Sequence, residues 1–437
     1  MHTTSPSILD RDICANAVTA LANQLRVFKQ QTGAQSLVLY HAASDVFLVR
    51  LLAAAHAGFD VIFPANGQSE NIQIASENAD YVLVDELSGD KHLSLESLSF
   101  AGSIQQSADA LTLPESGKLT FYTSGSTGYG KPVVKSWQHI NAELTNLCNT
   151  FEFDSDCQIV ATVSHQHIYG LLFKLFWPLR ANYTVNLTFV EFPEQLRALV
   201  ATQPSVIITS PAFIDRLIRD NVCVSVKHNI AGVFSSGGPL SDNSAVTLFQ
   251  QLGVAATQIY GSTETGGIAY RQVSEFKTEP WQCFDGITVL KHQQQLAVKS
   301  PYFDDAMFVT QDCGEILEDG RFSLSGRLDR TIKLEEKRVN LDALERVLSD
   351  DSAITQCKVV LLTQGFRQQL GLVAQLSAAG LGELNKNGKL ALNKRLKQVL
   401  AGQFEAVCMP RKFRYVDELP VNSQGKYVFA ELEKLFD

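Results

Sequence analysis

No two of the eight cysteines lie close enough for a CxxC pair; they are scattered at positions 14, 148, 157, 223, 283, 313, 357 and 408. That spacing speaks against a thiolate metal site or a redox motif and fits ordinary reduced thiols. A surplus of positive charge is also missing. The net charge is −9 with no basic stripe to offset it, so neither nucleic acid nor an anionic membrane is expected as the main partner. Nor is there an apolar run long enough to span a bilayer. The most apolar stretch, YGLLFKLFWPLRANY, is interrupted by Lys174, Pro178 and Arg180. The opening residues, MHTTSPSILDRDI, hold no apolar core of the kind a secretory leader needs. Repeats and low-complexity segments are lacking. A cytoplasmic protein is expected.

What is present is globular. The chain has 437 residues, 45% hydrophobic and 19% charged, enough for two or three domains with sizeable cores. Short apolar runs read as buried strands: SLVLY (36–40), DVIF (60–63), YVLVD (81–85), LTFYT (119–123), QIVATV (158–163), SVIITS (205–210) and IAGVFSS (230–236). Helical patterns alternate with them at 45–58, 136–149 and 241–253, with Gly58 and Gly253 placed as C-caps. Such alternation predicts a doubly wound α/β body. From about residue 286 the runs shorten into a small β subdomain, with EDGR as a hairpin turn. Beyond it, helices at 341–350 and 386–402 and strands at 357–363, 370–376 and 413–417 predict a small α+β domain. The expected division is a large N-terminal domain, 1–328, its β subdomain at about 286–328, and a small mobile C-terminal domain, 329–437.

Residues 119–136, LTFYTSGSTGYGKPVVKS, contain GSTGYGKP. This octet differs from the P-loop pattern by one residue: Pro132 stands where a magnesium-binding Ser or Thr belongs. Glycines let backbone N–H groups surround an anion. Ser124, Ser126 and Thr127 add hydroxyls, and Lys131 adds a point charge. The composition suits phosphate, but PVVKS delays the helix that a P-loop should open.

TSGSTGxxK resembles the phosphate loop of the adenylate-forming superfamily, which includes acyl- and aryl-CoA synthetases, luciferases and peptide-synthetase adenylation domains. Further stretches resemble that family's motifs in order: YGSTETG (260–266), TQDCGEI (310–316), GRLDRTIKLEEKRVNLDALE (326–345) and PVNSQGKYVF (420–429). HIYG (167–170) and SSGGPL (235–240) match weaker ones, so the likeness runs from about residue 36 to the end.

The resemblance implies ATP and Mg²⁺, a carboxylic acid activated as its adenylate with release of pyrophosphate, and acyl transfer to a thiol. Thr123, Ser124, Gly125, Ser126, Thr127, Gly128 and Lys131 would grip the β- and γ-phosphates. Gly237, Gly238 and Tyr260 would line the nucleotide site, with Tyr260 against the adenine. Thr263 would contact the α-phosphate and Glu264 hold magnesium, for which one carboxylate suffices. Asp312 and Arg327 would reach the ribose. His167 would lie near the substrate carboxylate; His165 is read as structural. Lys426 would bridge carboxylate and α-phosphate, and Asp329 would be the hinge between two orientations of the small domain.

Some positions depart from the family pattern. Glu336 replaces a usual glycine, Asn340 stands where an acid is expected, and Phe429 where many members carry arginine. The first signature loop comes early, as though N-terminal material had been lost. These departures leave free CoA and a carrier-protein phosphopantetheine both open as acceptors. Arg411, Lys412 and Arg414 could meet an acidic carrier. ATVSHQHIYGLLFKLFW holds no carboxylate to pair with a substrate ammonium, which favours an aryl or acyl acid over an amino acid. The short form resembles ligases of aryl polyene pigment pathways. Two other readings are a P-loop phosphotransferase releasing ADP and a non-catalytic nucleotide-binding module on a decayed adenylation fold.

Overall fold

Runs of β-branched and aliphatic residues bury both faces of their strands, and most of those strands assemble in parallel. The computed structural model describes residues 8–84, 92–93, 110–122, 131–275, 279–334, 337–364, 367–401, 403–421 and 427–437. The first sheet comprises β1 (Ser36–Leu39), β2 (Asp60–Phe63), β3 (Tyr81–Leu83), β4 (Lys118–Tyr122) and β5 (Pro132–Ser136), in the order β3-β1-β2-β4-β5. The first four are parallel, and β5 returns antiparallel to β4 with Tyr122 opposite Pro132.

The second sheet holds β6 (Gln158–Ala161), β7 (Thr184–Phe189), β8 (Ser205–Thr209), β9 (Ile230–Ser235), β10 (Ala256–Ser262), β11 (Gly266–Gln272) and β12 (Gln282–Cys283). Its order is β12-β11-β10-β9-β8-β6-β7, parallel from β10 to β7. The chain steps outward from β6 to β7, then reverses through β8, β9 and β10. The topological switch point therefore falls between β6 and β8, where open α/β sheets bind ligands beyond the strand C-termini.

β13 (Thr288–His292), β14 (Gln295–Lys299), β15 (Phe308–Ile316) and β16 (Phe322–Arg327) form an antiparallel meander. After a short turn, β17 (Thr331–Leu334) and β18 (Lys337–Asn340) make a ribbon, and β19 (Ile354–Gln364), β20 (Arg367–Leu376) and β21 (Lys412–Val416) a last sheet. Residues from Leu334 onward pack among themselves, Leu344, Leu348, Leu370, Leu372 and Leu396 being fully buried. Each such side chain contributes ~1.5–3 kcal/mol by leaving water. The expected α/β class is present.

The helices cover the sheets. α1 (Arg11–Thr32) is capped by Asp10, which accepts from the Ile13 N–H at 3.0 Å, and buries Cys14, Val18, Ala22 and Leu25 along one stripe. α2 (Ser44–His56), α3 (Ser69–Ser76) and α4 (Trp137–Thr150) follow, with Ser136 capping α4. The apolar stretch noted above becomes one interior rod: α5 (Ile168–Gly170), a π-helical turn (Leu171–Phe176) and α6 (Trp177–Ala181). The π-turn widens the ladder just before Pro178, which lacks an N–H to continue it. Lys174 is fully buried in that turn, donates to Leu187 O at 3.3 Å and is pulled to a pKa of about 8 by burial. No described helix is long and apolar enough to cross a membrane. α7 (Pro193–Val200), α8 (Pro211–Asp220) and α9 (Asp242–Leu252) flank the second sheet; α10 (Leu341–Ser349), α11 (Ala378–Ala401, broken at Gly388) and α12 (Phe429–Lys434) belong to the C-terminal part.

Candidate active site

The switch point is tied by its own strand ends: Thr162, just past β6, and Thr209, the last residue of β8, share a hydrogen bond of 2.7 Å. Around it converge the turns before α5, before α8, after β9 and after β10. His167 caps α5 in extended geometry, partly buried, and its carbonyl accepts from Leu171 N at 2.8 Å. Ser235 ends β9, 2% exposed, its hydroxyl without a partner among the described residues. Gly237, with φ +87°, and Gly238 follow, both exposed. His165, read as structural, is buried against Ser44 Oγ at 3.0 Å and His41 O at 3.0 Å, and burial lowers its pKa to about 3.

The turn from β10 to β11 carries Thr263 and Glu264, both partly buried. It is closed by reciprocal bonds: Thr265 Oγ1 accepts from Ser262 N at 3.0 Å, and Ser262 Oγ from Thr265 N at 3.2 Å. A side chain on Gly261 would place its Cβ 2.0 Å from Gly266 O, so only glycine fits. One strand residue earlier, Tyr260 packs between Trp281 and Phe322, ring centroids 5.4 and 5.7 Å away. Its hydroxyl donates to Asp312 Oδ2 at 2.6 Å. Burial, then the Asp312 charge, holds that phenol far above its usual range.

Asp312 and Arg327 lie directly opposite each other on β15 and β16, with Arg327 Nη1 3.6 Å from Asp312 Oδ1. Burial pushes the Asp312 carboxyl up, while the Tyr260 hydroxyl and the Arg327 guanidinium pull it down. Arg327 also forks onto Asp329, at 2.9 and 2.7 Å, and this pairing raises its pKa. Tyr260, Asp312, Arg327 and Asp329 thus form one chain of contacts. Thr123, Ser124, Gly125, Ser126, Thr127, Gly128 and Lys426 lie outside the described residues. Lys131 is exposed at the end of the β4–β5 connection.

That connection decides an alternative left open by the octet. A P-loop joins a strand to a helix; here residues 123–131 join two antiparallel strands. The Walker reading fails on topology.

A second polar group, which sequence reasoning missed, lies under the β10–β11 turn. Lys135, on β5 and 2% exposed, donates to Glu264 O and to Tyr302 O, the latter at 2.9 Å. Glu143, on α4 and 3% exposed, accepts from Gly267 N at 2.7 Å. Burial lowers Lys135 to about 8 and raises Glu143 to about 7, each opposed by the other's charge. The sequence did hold a signal. His139, Glu143 and Asn146 recur at i, i+4 and i+7, a polar stripe on a helix whose other face is apolar, and all three are buried.

A profile of the AMP-binding enzyme family matches residues 15–321. The chain belongs to that family. It is an AMP-forming acyl ligase of the adenylate-forming superfamily. D-alanine–D-alanyl carrier protein ligase of Staphylococcus epidermidis is 26% identical over 343 residues, 70% of this chain and 69% of that one. 4-Coumarate–CoA ligase of Rhodobacter capsulatus is 24% identical over 315 residues, 71% and 75% of the two chains. Among solved structures, ATP-bound MatB from Rhodopseudomonas palustris superposes with a TM-score of 0.76 at 19% identity, over 96% of this chain and 92% of that one. Anthranilate CoA ligase AuaEII with anthranoyl-AMP gives 0.73 at 14%, over 96% and 91%. At those identities the likeness is one of fold.

Two of the departures from the family pattern take on physical roles. Asn340 caps α10, accepting from Ala343 N at 3.0 Å, and donates to Arg327 O at 2.8 Å. Phe429 lies under the Arg330 guanidinium, 4.5 Å from its ring centroid. Within the basic cluster, Arg414 is engaged by Leu435 O at 2.7 Å, while Arg411 is exposed. Glu336 lies outside the described residues.

Proposed function

We propose that this enzyme activates an aryl or acyl carboxylate as its adenylate and passes the acyl group to a phosphopantetheine thiol, on a carrier protein or on CoA. The observation that carries this reading is the Tyr260–Asp312–Arg327 chain, whose Tyr260 stands three residues before Thr263 on the strand that enters the Thr263–Glu264 turn. An aromatic face, a ribose-binding carboxylate and a phosphate-binding turn are thereby in series, as a nucleotide's own parts are.

The acid's oxygen attacks the α-phosphorus, the bond to the β-phosphate oxygen breaks, and pyrophosphate leaves. Thr123, Ser124, Ser126, Thr127 and Lys131 hold the leaving phosphates by charge-assisted bonds, about twice the strength of neutral ones. Thr263 meets the α-phosphate. Lys426 bridges the two reacting anions, and His167 orients the acid. Glu264 is the residue to hold Mg²⁺; a single carboxylate beside phosphate oxygens fits that hard cation, which when bound offsets phosphate charge. A large domain, 1–328, and a small one, 329–437, exchange orientation about Asp329 between the two half-reactions.

The relatives named above differ in substrate, one acting on an amino acid and one on an aryl acid. Thr162–Tyr169 supplies no carboxylate for an ammonium group. The nearby buried Asp215 is engaged by Ser244 Oγ at 2.5 Å and by Gln356 Nε2. An aryl or acyl acid is therefore favoured, an aromatic starter for a polyene pigment among them. Acid-dependent ATP–pyrophosphate exchange across aryl, short- and long-chain acids tests this, followed by acyl transfer to CoA or carrier protein. AMP is the expected product. Release of ADP, or exchange only with amino acids, overturns the reading.

A further inference from the structure

Lys135 and Glu143 are almost wholly out of solvent, yet they bond the backbone on either side of the turn that presents Thr263 and Glu264. Lys135 holds the carbonyl of Glu264 itself, and Glu143 the amide of Gly267 three residues on, at the start of β11. Between these anchors the turn has little room. A Cβ on Gly266, where φ is +72°, would lie 2.5 Å from Glu143 Oε2 and 2.9 Å from Tyr302. Tyr302 is in turn fixed by Asn146 Nδ2, which meets its hydroxyl at 2.6 Å, and Asn146 also donates to Asp285 O at 2.9 Å. Lys135 is the fourth residue after Lys131, on the strand that leaves the Ser/Gly-rich connection. The same strand thus begins at one phosphate-binding element and grips the other.

We propose that Lys135 and Glu143 are positioning residues: an opposite-charged buried pair that sets the β10–β11 turn, and with it Glu264, for the magnesium–nucleotide. The inference rests on the role given to Glu264 above. Plain packing would not call for this choice. Two ionisable groups out of water are costly, and apolar residues of similar volume serve stability as well or better. What the pair adds is direction, since an ammonium can bind two carbonyls from separate segments at once and a carboxylate can fix one particular N–H.

Removing one charge leaves the other buried alone, so single variants risk misfolding. The test therefore uses the double variant Lys135→Met/Glu143→Gln, in which the glutamine oxygen can still accept from Gly267 while the bond to the Glu264 carbonyl is gone. Three measurements on the full chain are compared with the unsubstituted enzyme: amide hydrogen exchange over 261–268, Mg·ATP affinity by calorimetry, and pyrophosphate exchange. Faster exchange in that segment and a loss of affinity of about tenfold or more are expected, as for a lost hydrogen bond to a charged group. In a Glu264→Gln background the same double substitution should weaken Mg·ATP binding much less, because the effect passes through Glu264. Unchanged exchange and affinity, or equal effects in both backgrounds, overturn the proposal. Were the unsubstituted enzyme to show no acid-dependent pyrophosphate exchange, the functional reading would fall instead, and the exchange of the turn amides would still report on the pair.

Discussion

Arg327 is shared between two carboxylates, gripping Asp329 through both sides of its fork at 2.9 and 2.7 Å while standing 3.6 Å from Asp312. One guanidinium therefore touches both the proposed ribose site and the proposed hinge. Arg327→Ala should raise the KM for ATP in pyrophosphate exchange about ten- to a hundredfold, the effect of a lost charge-assisted bond. Its side chain is 46% exposed, so the melting temperature should move little. An unchanged KM would detach Arg327 from the nucleotide.

Lys426→Ala should slow adenylate formation by ~10²–10³ or more, the loss expected for a donor aimed at charge that develops in the transition state. The melting temperature should stay put. Near-normal pyrophosphate exchange in this variant would remove Lys426 from the chemistry.

Asp215 links the large sheet's helices to the C-terminal part. Ser244 Oγ donates to one of its oxygens at 2.5 Å and Gln356 Nε2 to the other; Tyr427 OH then donates to Gln356 Oε1 at 3.2 Å. Burial raises its carboxyl to about 7, against the pull of Ser244 and Arg219; burial, then the Asp215 charge, raises Tyr427. A group that keeps its proton more tightly folded than unfolded stabilises the fold at low pH. That contribution is lost as pH climbs from about 4 toward 7. Within that window the slope is at most about 1.4 kcal/mol per pH unit. Asp215→Asn should flatten the stability–pH curve there, as read by denaturant unfolding. Parallel curves would show that Asp215 does not titrate in this way.

Gly261→Ala forces its Cβ against the Gly266 carbonyl. Overpacking of this kind costs about 1–3 kcal/mol, and the displaced turn should lower adenylation more than it lowers stability. A variant with full activity would show that the turn tolerates movement.

The strands of the two parallel sheets were legible because burial on both faces leaves a continuous apolar run, as in SVIIT of β8, buried at every residue. Helix ends were legible where a cap imposes chemistry, Gly253 taking φ +75°. Helix α1 escaped notice because small residues, Ala15, Ala17, Ala20 and Ala22, dilute the apolar period that Val18, Leu21, Leu25 and Phe28 set. PVVKS was read only as a delay before the next helix, but it is a strand, too short to show a period and begun by a proline. At the site, glycines, hydroxyls and the Tyr–Asp–Arg set announced themselves by type and order. Lys135 and Glu143 did not, because a buried charge and a solvated one look alike until the fold shows what lies above them.

The return of β4 into an antiparallel neighbour has an electrostatic corollary. A strand that opens a helix lends an anion roughly half an elementary charge from the helix N-terminus. Antiparallel neighbours lend none, so the phosphate grip proposed for residues 123–131 would rest on their hydroxyls, their amides and Lys131. Replacing Pro132 by threonine would complete the P-loop spelling without creating its field.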